Sequence, residues 1–189
     1  IKAQFSDAGH ILGSAMIEIW ASPAQGRPRA EDKHILFTGD LGNVPSVLLP
    51  SPEIFKNIEY LIIESTYGSK THEKPEDRVL NLERAIEDTS SRGGVLMIPA
   101  FATERTQDIL FYLNEMLHFK RIPEMPVFVD SPLAIKATEI YSRYVSYYKD
   151  EIKDLSRKHP HLFEFKNLKF TATVEESKKI NDVSAPKVI

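Results

Sequence analysis

Two short segments carry residues suited to metal or acid–base chemistry. His10 follows Asp7-Ala8-Gly9, and Asp40 follows Phe37-Thr38-Gly39 and precedes Leu41-Gly42. A neutral imidazole and a carboxylate together suit zinc or manganese. The chain has no cysteine, which excludes disulfides and thiolate metal sites, so His, Asp and Glu are the available ligands. Taken singly, each residue has a plainer reading: His10 as a satisfied loop histidine, Asp40 as a turn residue bonded to its own backbone. A third acidic position, Glu64, ends the apolar run Tyr60 to Ile63 and is followed by Ser65-Thr66-Tyr67-Gly68. Taken alone it reads as an exposed strand-end glutamate.

The elements around these residues explain how they would be aimed. Ala15 to Trp20 and His34 to Phe37 are short apolar runs rich in strand formers. The polar stretch between them, residues 21–33, holds Pro23, Gly26 and Pro28, so the two runs predict a long-looped hairpin. Tyr60 to Ile63 predicts a third strand. His10 thus sits just before a strand and Asp40 just after one, where a rigid scaffold can direct side chains to one point.

From Gly68 onward the rhythm changes to alternating helix and strand. Pro75 to Ser91 places Val79, Leu82 and Ile86 on one helical face and is stopped by Arg92-Gly93-Gly94. Val95 to Ile98 reads as a buried strand. Thr103 is the expected cap of a helix whose apolar positions are Ile109, Leu113, Met116 and Leu117. Val127 to Val129 is another strand, and Ser131-Pro132 opens a helix continuing through Ala137, Tyr141, Tyr144 and Tyr148. Asp150 to Lys158 reads as helix, ended by His159-Pro160. Thr173-Val174-Glu175-Glu176 is a capping box for a short helix to about Asn181, and Val188-Ile189 begins a strand. Such alternation implies parallel pairing with helices on the faces. The expected division is a β-rich part, residues 1–66, and an α/β part, residues 67–189.

Composition sets bounds. A chain of 189 residues with 42% hydrophobic residues can build a substantial core. No apolar run approaches the roughly 20 residues of a membrane span, and no leader stands at the start, so a cytoplasmic location is expected. The formal net charge of −3 argues against a polyanionic partner. That argument is weak here, because residues 1–66 carry 5 basic and 8 acidic side chains, residues 67–189 carry 19 of each, and bound cations add positive potential. Ile1 is no initiator methionine and Pro186 to Ile189 reads as an opening strand, so both ends are expected to be cut from a longer protein.

Six ordered blocks give the pattern its specificity: Asp7 to Ala15, Phe37 to Gly42, Glu64 to Gly68, Pro99 to Gln107, Val129 to Ala134 and Glu175 to Asn181. In order and spacing they resemble the β-CASP branch of the metallo-β-lactamase superfamily, over nearly the whole chain. The resemblance implies an α/β fold class: part of a metallo-β-lactamase β-sandwich unit, followed by an inserted β-CASP α/β domain with a mainly parallel sheet. It implies that His10 is a metal ligand and that Asp40 bridges two zinc ions. It implies that Glu64, at the junction with the inserted domain, orients a histidine that protonates the leaving group. The reaction implied is hydrolysis of RNA phosphodiester bonds, endonucleolytic or from the 5′ end, with single-stranded RNA as partner and two zinc ions as cofactors.

Arg105, early in a helix, is a candidate phosphate contact in the cleft between the two parts, with a structural ion pair to Glu104 or Asp108 as the other reading. Ser65, Thr66 and Ser131 are candidate hydrogen-bond donors to phosphate, Ser131 equally a helix cap. Tyr141, Tyr144, Tyr147 and Tyr148 read as packing residues rather than base-stacking ones. His34, His118, His159 and His161 show no ligand spacing, and His72 falls in the linker. The family also needs a His-x-His-x-Asp-His block before His10 and two later histidines, none of which is in this sequence. The isolated chain is therefore expected to bind zinc weakly and to be inactive. A catalytically inactive relative that binds RNA or a protein partner is the alternative, and a homodimer is an open expectation.

Overall fold

The computed structural model describes residues 1–22, 33–71 and 74–189. It divides into two compact units, Ile1–Thr71 and His72–Ile189. The break lies a few residues past the change of rhythm at Gly68. Turns closed by Gly68 N–H to Ser65 O and Lys70 N–H to Tyr67 O keep that segment folded on itself.

Unit 1 holds a mixed four-stranded sheet ordered β1-β2-β3-β4: β1 Lys2–Asp7, β2 Ala15–Ala21, β3 Lys33–Phe37 and β4 Tyr60–Ile62. β1 pairs antiparallel with β2, β2 antiparallel with β3, and β3 parallel with β4. The expected hairpin of β2 and β3 is present, although the middle of its loop, with Pro23, Gly26 and Pro28, lies outside the described residues. β1 escaped the pattern reading because Lys-Ala-Gln-Phe-Ser-Asp has only two apolar side chains. Four of its six residues are exposed, as suits an edge strand. Ala8, Met16 and Leu36 form the buried cluster, with Leu41, Phe55 and Ile58 packed against it. The buried Glu18 carboxylate lies 3.0 Å from His34 Nε2, which places His34 in a structural pair.

Unit 2 is an α/β layer structure around an all-parallel sheet ordered β5-β8-β6-β7. Its strands are β5 Val95–Leu96, β6 Val127–Val129, β7 Leu168–Phe170 and β8 Lys187–Val188. Every residue of β6 is buried, as a central strand with covered faces requires. The helices are α1 Pro75–Ser91, α2 Arg105–His118, α3 Pro132–Arg143, α4 Asp150–Lys158 and α5 Val174–Lys179. Ile86, Leu113, Met116, Ile122, Met125, Val127 and Val188 form the core, so helical and strand periodicities meet where expected.

Several local expectations change. The buried strand expected over Val95 to Ile98 is reduced to β5 Val95–Leu96, and Val95 and Met97 are exposed. Thr103 does not cap α2: Glu104 takes the N-cap position with φ +64°, and Arg105 N–H donates to Thr103 O over 2.8 Å. The helix opened by Ser131 stops at Arg143, and a 3₁₀ turn over Val145–Tyr147 follows, so Tyr148 reaches the core from a different element. Its hydroxyl donates to Tyr141 O over 2.7 Å, a tie that one continuous helix would not make. Tyr141 and Tyr148 are buried while Tyr144 and Tyr147 are exposed, so the four tyrosines do not share one environment. β7 went unforeseen because three residues carry no readable alternation. The capping box is as read: Thr173 Oγ1 accepts from Glu176 N–H, and the Glu176 carboxylate accepts from Thr173 N–H.

Candidate metal-ligand pair and nucleic-acid surface

His10 lies on the turn between β1 and β2. Asp7 Oδ1 accepts from Gly9 N–H over 2.7 Å, and Ser14 Oγ accepts from the N–H groups of His10 and Ile11 over 3.1 and 3.2 Å. These bonds fix the backbone under the imidazole. Asp40 follows β3 on a loop tied from the other side. Thr38 N–H donates to Ile62 O over 3.0 Å, and Glu64 Oε1 accepts from Leu41 N–H over 2.6 Å.

The two loops meet directly. Gly42 N–H donates to Ala8 O over 2.9 Å. His10 Nε2 and Asp40 Oδ2 consequently stand 3.9 Å apart, with the His10 side chain 37% and the Asp40 side chain 75% exposed. On one tetrahedral cation, two donors bonded at about 2 Å stand about 3.3 Å apart, so this pair needs to close by only about half an ångström to share a cation. Among the described residues no third His, Asp or Glu joins them. The donor set therefore fits one side of a site and supplies fewer ligands than a closed one needs.

Glu64 is part of this arrangement. Its carboxyl is held below the usual carboxylate range, first by the Leu41 N–H, then by hydrogen bonds from Thr66, with a smaller contribution from the charge of His10. Its hydrogen bonds are thus to the Asp40 loop and to its own turn. Ser65 and Thr66 are exposed beside it.

In unit 2, Arg105 is exposed on the first turn of α2. Its guanidinium joins no ion pair among the described residues. Ser131 caps α3 by accepting from Ala134 N–H over 3.2 Å. It also borders a cavity of about 490 Å³ at the carboxyl ends of β5, β6 and β8, with Thr106 and Asp130 as further polar lining groups. Carboxyl ends of parallel strands are where ligands enter open α/β sheets. Arg105 does not line that cavity. Asp130 is held by the hydroxyls of Thr171 and Ser177 over 2.7 and 2.8 Å.

Behind this edge lies a polar core that the pattern reading did not single out. Gln107 Nε2 donates to Ala102 O and Thr138 Oγ1, and its Oε1 has no partner among the described residues. Asp108 beside it is buried, and burial followed by the charge of Glu104 pushes its carboxyl up to about 7, against the pull of Arg105, Lys149 and Arg78. Hydrophobic periodicity cannot reveal such groups, because a polar residue at a core position reads as a break in the stripe.

Residues 106–189 match the Beta-Casp domain model. That segment is a Beta-Casp domain, and the resemblance of the chain to β-CASP nucleases of the metallo-β-lactamase superfamily is borne out. It is 34% identical to ribonuclease TTHA0252 of Thermus thermophilus over its whole length, covering 41% of that protein. It is 37% identical to an RNase J-like protein of Methanocaldococcus jannaschii over 82% of the chain, covering 35% of the relative. To endoribonuclease YSH1 of Saccharomyces cerevisiae it is 33% identical over 93% of the chain, covering 22%. The chain thus spans about two fifths or less of the length of these curated relatives. Its α/β unit with a parallel sheet is the β-CASP domain, and no helix among the described residues is long and apolar enough to cross a membrane.

Proposed function

We propose that this chain is the part of a zinc-dependent β-CASP ribonuclease that carries one wall of the metal site and most of the RNA-binding domain. The observation that carries this reading is the convergence of His10 and Asp40 to 3.9 Å from two backbone-locked loops. The ribonuclease names of its relatives support RNA as the substrate class. In this reading His10 and Asp40 hold the metal from one side. Zinc, when bound by a complete ligand set, supplies Lewis acidity and a nucleophile at neutral pH.

The chain's own residues bind and orient. Glu64 keeps an ionised carboxylate beside the pair, where it is available to orient a histidine outside this chain. Ser65, Thr66, Arg105 and Ser131 are the phosphate-facing donors, with Arg105 offering the planar fork suited to a phosphate. Single-stranded RNA is the expected partner and the cytoplasm the expected compartment.

With two donors at the site, the isolated chain should bind zinc weakly and cleave nothing. Titration calorimetry with Zn²⁺, together with incubation of the chain with labelled single-stranded RNA, tests this. Tight stoichiometric zinc binding or robust cleavage by the chain overturns it. Competition between single-stranded RNA and DNA tests the binding half, and indifference to both removes it.

A further inference from the structure

The contact between the two ligand-bearing loops is closer than any side chain permits. A Cβ added at Gly42 would stand 1.7 Å from Gly9 O, 2.1 Å from Gly9 C and 2.8 Å from His10 N. These are backbone atoms of the His10 loop, so no flexible side chain can yield. Gly9 is itself immobilised. Its φ is +60°, and a Cβ there would stand 2.7 Å from Pro50 O and 2.8 Å from Pro52 N. The His10 loop thus rests on the Pro50–Pro52 segment on one side and on Gly42 on the other. Gly42 is two residues from Asp40, and Leu41 between them donates its N–H to Glu64 Oε1 over 2.6 Å.

The Asp40 loop is therefore held at two adjacent peptides. At Gly42 it is seated by a hydrogen bond to Ala8 O and by the absence of a side chain. At Leu41 it is tethered by a carboxylate reaching from the end of β4. We propose that Gly42 and Glu64 are positioning residues for the His10–Asp40 pair, holding the two loops close to the separation a shared cation requires. The role assigned to Glu64 is additional to any partner histidine, and it acts through the Leu41 peptide rather than on the substrate. The inference rests on His10 and Asp40 being metal-binding positions.

The test uses the chain as it stands, with Mn²⁺ as the probe and paramagnetic broadening of the His10 ring signals as the readout. Gly42→Ala forces the loops apart and should raise the Mn²⁺ concentration needed for half-broadening about tenfold, the scale on which supporting groups tune metal sites. Glu64→Ala, which adds no volume, should raise it severalfold. Glu64→Gln should lie nearer the parent, because its amide oxygen still accepts the Leu41 N–H. If Glu64→Gln matches Glu64→Ala, charge rather than the tether is responsible and the role of Glu64 is overturned.

A metal-free arm separates this inference from the metal reading. The chain has no cysteine, so His10→Cys with Asp40→Cys creates one thiol pair, and the rate of bridging by dibromobimane reports loop separation. Adding Gly42→Ala should slow bridging severalfold while the amide spectrum of β1–β3 persists. Absence of Mn²⁺ broadening at His10 in the parent chain removes the metal reading, and the bridging rate then decides positioning alone. Unchanged bridging in a folded Gly42→Ala variant overturns the positioning role. Should Gly42→Ala unfold unit 1, Glu64→Ala on the thiol pair is decisive: slower bridging supports the proposal and an unchanged rate overturns it.

Discussion

Unit 2 holds a cluster of seven buried residues drawn from two helices, two strands and the segment between α2 and β6, whereas the cluster under the unit 1 sheet has three and all of β4 is exposed. Yet unit 1 carries the pair with the clearest chemistry. The difference shows two ways of making a rigid site. Unit 2 derives order from interdigitated apolar side chains, where each residue contributes a few kcal/mol. Unit 1 obtains it at His10 and Asp40 from backbone hydrogen bonds and a glycine-to-glycine seat, which need little apolar area but tolerate no added atom.

The largest effects should come from breaking the cores. Leu113→Ala in unit 2 should lower the stability of that unit by about 3 kcal/mol, leaving it folded with its other core contacts in place. Met16→Ala removes one of only three buried residues of the unit 1 cluster. It should melt unit 1 in the isolated chain while unit 2 keeps its spectrum. Urea unfolding followed by amide NMR of each unit checks both, and equal losses in the two units would erase the contrast.

A pH-dependent effect of comparable size should belong to unit 2. The Asp108 carboxyl is raised from an ordinary 3.8 to about 7, chiefly by burial. Below the ordinary value both folded and unfolded states are protonated and no penalty exists. As pH rises towards 7 the unfolded chain ionises first, so unit 2 should lose stability across that window, by an amount on the order of 4 kcal/mol. Above about pH 7 the penalty stays constant. Asp108→Asn should flatten the stability profile between pH 4 and 7, as measured by urea midpoints. A profile as steep in the variant as in the parent would place the cause elsewhere. The smallest effect is at Ser131: losing the cap in Ser131→Ala should lower unit 2 stability by about 1 kcal/mol. A much larger loss of RNA affinity than of stability would assign its hydroxyl to phosphate binding.

What could be read along the chain is whatever depends on neighbours a few residues apart. Residues 75–91 were legible as α1 from Val79, Leu82 and Ile86, and the Thr173–Glu176 capping box from its spacing, because helical faces and caps are local. β1 and β7 were not legible, since an edge strand and a three-residue strand take their identity from partners elsewhere: β1 from β2, β7 from β6. Glu104 displaced Thr103 as the cap of α2 for a similar reason. The segment before α2 is tied by Thr106 and Gln107 back to the carbonyls of Phe101 and Ala102, and those ties override the local preference.

By itself the sequence determined the order of the six blocks, the α/β alternation after Gly68 and the restriction of any metal site to nitrogen and oxygen donors. Tertiary structure alone decided that β8 lies between β5 and β6, and that Glu64 reaches Leu41 across 23 residues. It also decided that Gly42 sits on Gly9, bringing His10 and Asp40, 30 positions apart in sequence, within 3.9 Å. Periodicity and caps encode which face is buried, but the contact of one backbone with another distant in sequence leaves only a glycine as its trace.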